Sequence, residues 1–164
     1  IGNEFDTIIN AEKKEKSITH PRPSYDGKFL MFCQADYSVF PIHHKESDLY
    51  LLDLTNNTIR PLKEANSNEA ETFHNFSSNS RWFIFNSRRL DKTNNLLYLS
   101  HIDEEGNCAK PILLPQKNPK LFYSNNFYSY NVPDFTSKKV DLDIRAFANE
   151  IYTSKRIQVE TRRN

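Results

Sequence analysis

The sequence predicts an all-β fold: two four-stranded antiparallel β-propeller blades with partial flanking blades and a short C-terminal helix, a partial propeller. Three observations carry this expectation. The stretches "SYDGKFLMF" (24–32) and "SSNSRWFIF" (77–85) repeat one pattern, a polar turn, a basic residue and a run of large apolar side chains, 53 positions apart. Each copy is followed by further short strands in the same order. A repeat of about 50 residues holding four strands has the period and content of a propeller blade. A pair of β-meanders within another all-β sandwich is the alternative.

The first unit opens with "THPRPS" and a turn at Tyr25-Asp26-Gly27. Phe29–Cys33 is a continuous apolar run, which suits a strand buried on both faces. A loop from Gln34 to Ser47 leads to a second run, Leu49–Leu54. Asn56-Asn57 is a tight-turn pair, and Thr58–Leu62 follows. Pro61 cannot donate to a ladder, so this last strand belongs on a sheet edge.

The second unit answers piece by piece. "TFHNFS" stands for "THPRPS", Trp82–Phe85 for Phe29–Phe32, and Leu96–Leu99 for Leu49–Leu52. Glu104–Asn107 is the hairpin turn. Lys110-Pro111-Ile112-Leu113 stands for Arg60-Pro61-Leu62, with proline again marking an edge.

The ends carry partial copies. Phe5–Ile9 followed by "NAEKKEKS" reads as the outer strand of a preceding blade. "NVPDFTS" (131–137) reads as the entry to a third unit, after the aromatic, Asn-rich connection "LFYSNNFYSY". From Asp141 to Tyr152 the period changes: Ile144, Phe147, Ala148 and Ile151 recur at helical spacing, with Asp141 or Asp143 as N-cap. Ile157–Val159 alternates like a final strand, and Arg162-Arg163 ends a basic tail. The organisation is therefore 1–16 (outer strand and linker), 17–65 (first blade), 66–117 (second blade) and 118–164 (connection, third entry, helix and final strand). Two blades leave apolar faces open, so the chain reads as part of a longer protein or as a unit that self-associates or pairs with the remainder of its own propeller.

Composition excludes several classes. Lys and Arg total 22 against 21 Asp and Glu, so no electrostatic case for nucleic acid exists. The 3 glycines form no phosphate-cradling loop. No apolar stretch approaches the length of a membrane span. Neither G-x-S-x-G nor H-E-x-x-H occurs, and the carboxylates are scattered over turns rather than paired. No catalytic residue, cofactor or metal site is expected. Cys33 and Cys108 read as two separate thiols, one in a strand and one near a turn.

The series "P-x-x-S-x-D-G-K-x-x-x-F", "D-L-Y-L-L-D-L" and "R-P-L", then "F-S-S-N-S-R-W-F-I-F-N-S-R-R" and "L-Y-L", resembles the WD-like repeats of TolB-type β-propellers over roughly 17–115. "HPRPSYDGKFLMF", "FPIHHKESDLYLLDL", "SSNSRWFIFNSRR" and "LLPQKNP…YSYNVPDF" are similar to the C-terminal part of TolB-like proteins common in Bacteroidetes. The resemblance implies a periplasmic or cell-envelope setting and protein–protein contact without enzymatic activity. A carbohydrate- or peptide-binding propeller, or the accessory propeller of a prolyl-oligopeptidase-like peptidase, are the other readings it opens.

Blade topology divides the loops between two ends. The turns at Asp26-Gly27, Asn56-Asn57, Asn79-Ser80 and Glu104–Gly106 share one end, and the long loops 34–47 and 87–95 share the other with the entries at His20 and His74. Long loops on a rigid frame carry function. The expected interaction face therefore presents Tyr37, Phe40, His43, His44, Lys45, Arg88 and Arg89.

Overall fold

The structure, a computed structural model, describes residues 7–37 and 39–155. It is mostly β. Sheet A holds β1 (Ser17–Pro23), β2 (Phe29–Ala35), β3 (Asp48–Asp53) and β4 (Thr58–Pro61). Sheet B holds β5 (Glu71–Phe76), β6 (Trp82–Ser87), β7 (Leu96–His101) and β8 (Ile112–Leu113). Both are antiparallel and run in chain order, so β4 and β8 are edge strands. The two sheets do not close into a ring.

The repeated turn has one hydrogen-bond plan. Ser24 Oγ donates to Asp26 Oδ1 (2.6 Å), which also accepts from Lys28 N (3.1 Å), while Phe29 N donates back to Ser24 Oγ (3.0 Å). In the second copy Ser77 Oγ donates to Asn79 Oδ1 (2.7 Å), Arg81 N donates to the same oxygen (3.0 Å), and Trp82 N donates to Ser77 Oγ (3.1 Å). One side-chain oxygen two residues after the serine is all the motif requires, so Asn79 replaces Asp26 without loss. Gly27 and Ser80 both take left-handed φ, +73° and +56°.

The registers coincide under the same 53-residue shift. Thr19↔Cys33 and Arg22↔Met31 recur as Thr72↔Asn86 and Asn75↔Ile84, with a bulge between the pairs in each sheet. His20 and Phe73 occupy that bulge with φ of +54° and +50°. His20 is thus the counterpart of Phe73, and His74 the counterpart of Pro21. The two rings meet edge to face at 4.9 Å.

The core lies between the sheets. Phe29, Met31, Leu49 and Leu51 of sheet A face Phe76, Phe83, Phe85, Leu96 and Tyr98 of sheet B. Fully burying one such side chain contributes about 1.5–3 kcal/mol. The turn ends are also tied across: Asp26 N donates to Ser80 Oγ (3.0 Å), and Arg60 donates to the Glu105 carbonyl and to Asn107 Oδ1. Cys33 and Cys108 are unpaired thiols.

Several expectations change at the edges. Pro61 ends β4, opposite Tyr50, but Pro111 precedes β8, whose Leu113 takes the equivalent place opposite Tyr98. The two prolines therefore do not share a slot. Thr7–Ile9 carry no strand pairing and lead into a one-turn helix α1 (Ala11–Lys14); Phe5 and Asp6 lie outside the described residues. The connection after β8 contains a helix, α2 (Pro119–Ser124), capped by Asn118. Helix α3 (Ile144–Thr153) forms as expected, with Asp143 accepting from Arg145 N and Ala146 N. Its apolar residues Ile144, Phe147 and Ile151 remain exposed. Ile157–Val159 and Arg162-Arg163 lie outside the described residues.

Candidate functional site

The long loops converge at one end of the two sheets. The loop between β2 and β3 turns through a single 3-10 turn, Pro41–His43, set by proline at its first position, with Pro41 and Ile42 buried beneath it. Burying these two pushes their neighbours outward: Tyr37 and Phe40 are 69% and 66% exposed. Tyr37 packs edge-on to His44 (6.4 Å between centroids) and Phe40 to His43 (6.5 Å). His44 Nδ1 lies 3.3 Å from Glu46, and Lys45 Nζ 3.6 Å from Glu69.

Arg88 binds the two loops together. Its Nε and Nη2 donate to the Thr93 carbonyl (3.0 and 2.8 Å), and its Nη1 donates across to the Ile42 carbonyl (3.3 Å). Between these loops lies a groove of about 380 Å³ lined by Phe40, His43, Phe73, Arg88, Asn95 and Tyr130, among others. Tyr37, His44 and Lys45 stand outside it. Asn95 is only 8% exposed, and its buried Oδ1 has no hydrogen-bond partner among the described residues. A buried acceptor without a donor is costly, a cost that an ordered water or a bound donor group would relieve. Apolar rings, an imidazole, a guanidinium and an amide together suit holding a polar chain with apolar side groups.

Arg89 turns inward. Its guanidinium donates to Glu71 Oε1 (2.9 Å) and to the Ala65 carbonyl, its Nε donates to Ser87 Oγ (2.9 Å), and it lies over the rings of Phe85 and Tyr98 (5.4 and 4.8 Å). Glu71 is fully buried and also accepts from Ser67 N, Ser67 Oγ and Ser87 Oγ. Burial and this carboxylate push Asp48 up to about 6. Nearby, burial holds His74 down to about 4, and its Nε2–H donates to the Met31 carbonyl (3.1 Å). Of the residues expected at this face, Phe40, His43 and Arg88 are brought together. Arg89 belongs to the inter-sheet network.

Sequence reading missed Phe73, Asn95 and Tyr130 as groove residues. Phe73 enters because its left-handed bulge redirects the chain, and Tyr130 because the tail returns to this end, its N–H donating to the Asn95 carbonyl (2.9 Å). The signals in the sequence were the adjacent pair Asn94-Asn95, since asparagines in loops satisfy backbone groups, and the aromatic, Asn-rich connection that ends at Tyr130 before the 131–137 entry. Among the described residues no group of three His, Cys, Asp or Glu is placed to hold a metal ion, and no helix is long and apolar enough to cross a membrane. No protein-family model and no curated protein matches this chain.

Proposed function

We propose that these two sheets are consecutive blades of a TolB-like β-propeller that acts as a non-enzymatic protein-interaction scaffold in the bacterial cell envelope, as part of a longer protein, with the long-loop end as its binding face. The observation that carries this is the convergence of Phe40, His43 and Arg88, from loops of different sheets, on one groove. The constant offset between the sheets, down to turn and bulge, supports the blade reading. The partnerless Asn95 oxygen favours a second reading, a smaller peptide or carbohydrate ligand in the same groove.

A photo-crosslinking residue placed at Phe40, and separately at Asn56 at the turn end, tests the assignment in the cells that make the protein. A specific protein adduct from position 40 and none from position 56 is expected. The adduct should fall at least tenfold in the His43→Ala background. Equal adducts from both positions, or none from position 40, would sink the proposal.

A further inference from the structure

The strand that follows sheet A and the segment that follows sheet B are anchored in the same way. On sheet A, Glu71 N donates to the carbonyl of Ser47, the residue just before β3 (2.7 Å), and Cys33 Sγ in β2 donates to the Glu71 carbonyl (3.4 Å). On sheet B, Tyr130 N donates to the carbonyl of Asn95, the residue just before β7 (2.9 Å). Asn86, the counterpart of Cys33 in β6, donates through Nδ2 to the carbonyls of Tyr130 (2.6 Å) and Asn131 (3.2 Å). Asn75 Nδ2 adds a bond to Asp134 Oδ1 (2.9 Å). Tyr130 therefore stands to sheet B as Glu71 stands to sheet A.

Carrying this match forward lays Asn131-Val132-Pro133-Asp134-Phe135 over Thr72–Phe76 and over Thr19–Pro23. Pro133 then falls on Pro21, which sits within β1 at the bulge and leaves the Thr19 and Arg22 pairings intact. The segment 131–135 thus has the place of a third first strand. Yet β1 and β5 each pair with the strand after them, and 131–135 pairs with no strand among the described residues. Its continuation, Val140-Asp141-Leu142-Asp143-Ile144, lacks the two-sided apolar run of β2 and β6, and Asp143 is engaged as the cap of α3. The chain turns into a helix where the partner strand should come.

We propose that Asn131–Phe135 is an acceptor edge for an extended strand supplied by another polypeptide. Its occupant is a segment with apolar side chains on both faces, as in β2 and β6, pairing antiparallel as the second strand of a third sheet. The proposal rests on the repeat reading of the fold; the edge shares Asn131 with the lining of the long-loop groove but does not need that groove to bind a partner.

The probe is a fluorescent synthetic peptide copying Ser80–Arg89, offered to the full chain. Saturable binding is expected by anisotropy, at least tenfold weaker for an analogue N-methylated at alternate amides, which keeps the side chains and removes the pairing groups. Hydrogen exchange should slow at least tenfold at Asn131, Val132, Asp134 and Phe135. Absence of binding, equal binding of the N-methylated analogue, or protection along β4 or β8 instead would overturn the proposal. Asn86→Ala, which releases the anchor, should weaken the peptide at least fivefold, and unchanged affinity would count against it. If that variant fails to fold, the exchange pattern of the unaltered chain decides. Phe40→Ala with His43→Ala should leave peptide binding within twofold, so that loss of the groove and loss of the edge are told apart.

Discussion

Strands β1 and β5 share a backbone down to the left-handed bulge and differ in what surrounds them. β5 lies between the two sheets, against β1, β2 and β3 on one side and within its own sheet on the other, and four of its six residues are buried. β1 has no fully buried residue. Thr-His-Pro-Arg-Pro in the first and Thr-Phe-His-Asn-Phe in the second reach one conformation with unlike side chains. What they have in common is the serine turn that follows and the register it imposes. The lesson is that the turn and pairing set the strand's path, whereas burial sets its composition.

That comparison has measurable consequences. Glu71, in β5, is a buried carboxylate whose removal strands Arg89 without its counter-charge. Glu71→Ala should cost about 3–5 kcal/mol of stability. Ile18→Ala, at the matching place in β1, should cost about 1 kcal/mol. Urea unfolding of both variants checks this, and similar losses would show that the two strands are equally embedded.

The two left-handed glycines extend the contrast to the turns. A Cβ on Gly106 would meet Arg60 at 2.6 Å, Leu51 at 2.7 Å and Phe29 at 3.0 Å, whereas one on Gly27 would meet nothing within 4 Å. Gly106→Ala combines backbone strain with overpacking and should cost about 3 kcal/mol. Gly27→Ala carries the strain alone, about 1 kcal/mol. Thermal unfolding of the pair reads the difference directly, and equal shifts would remove the packing explanation.

Acid separates the strands as well. Folded His74 takes its proton only near pH 4, against about 6.5 when unfolded. Between those values the unfolded chain holds more protons, so stability is lost as pH falls from 6.5 to 4. Asp48 acts in the opposite sense: its raised folded value adds stability as pH falls from about 6 toward 3.8, but it is only half buried and its effect is smaller. The net loss should be about 2 kcal/mol. His74→Gln should flatten most of the dependence, because glutamine does not titrate, leaving the share of the half-buried His20 in β1, whose imidazole burial also holds below its ordinary value. Denaturant midpoints at pH 6.5 and 4.5 test it, and an unaltered slope in the variant would exclude His74 as the cause.

Much of this architecture was legible because the signals were local. Two-sided apolar runs marked β2, β3, β6 and β7; the serine turns and the Asp143 cap are short-range hydrogen-bonding patterns. What stayed hidden depends on distant residues. Arg88-Arg89 reads as a pair presented together on the interaction face, and nothing beside it reveals that Arg89 would find a buried partner in Glu71. The left-handed bulges carry histidine and phenylalanine, and although histidine tolerates positive φ better than most, phenylalanine gives no hint of it. β8 shrinks to two residues because an isolated bridge between Ile102 and Cys108 absorbs the start of the hairpin, which moves Pro111 out of the strand. The groove combined two loops that were foreseen with the lead-in to the expected entry at 131–137, where the pattern marked the entry but not the bond that Tyr130 N would make to the Asn95 carbonyl.

The pairs Ile18↔Gln34 to Pro23↔Leu30 and Glu71↔Ser87 to Phe76↔Phe83 keep identical spacing, yet the connection from Ala35 to Asp48 is longer than that from Ser87 to Leu96. The sheets absorb that difference without slipping, since Met31↔Leu51 and Ile84↔Leu99 still face their neighbours. Length at this end therefore differs between the two units without shifting the strand pairing. Repeated units of this kind can carry connections of different length on one framework, so what the long-loop end presents can vary while the strands beneath it keep their register.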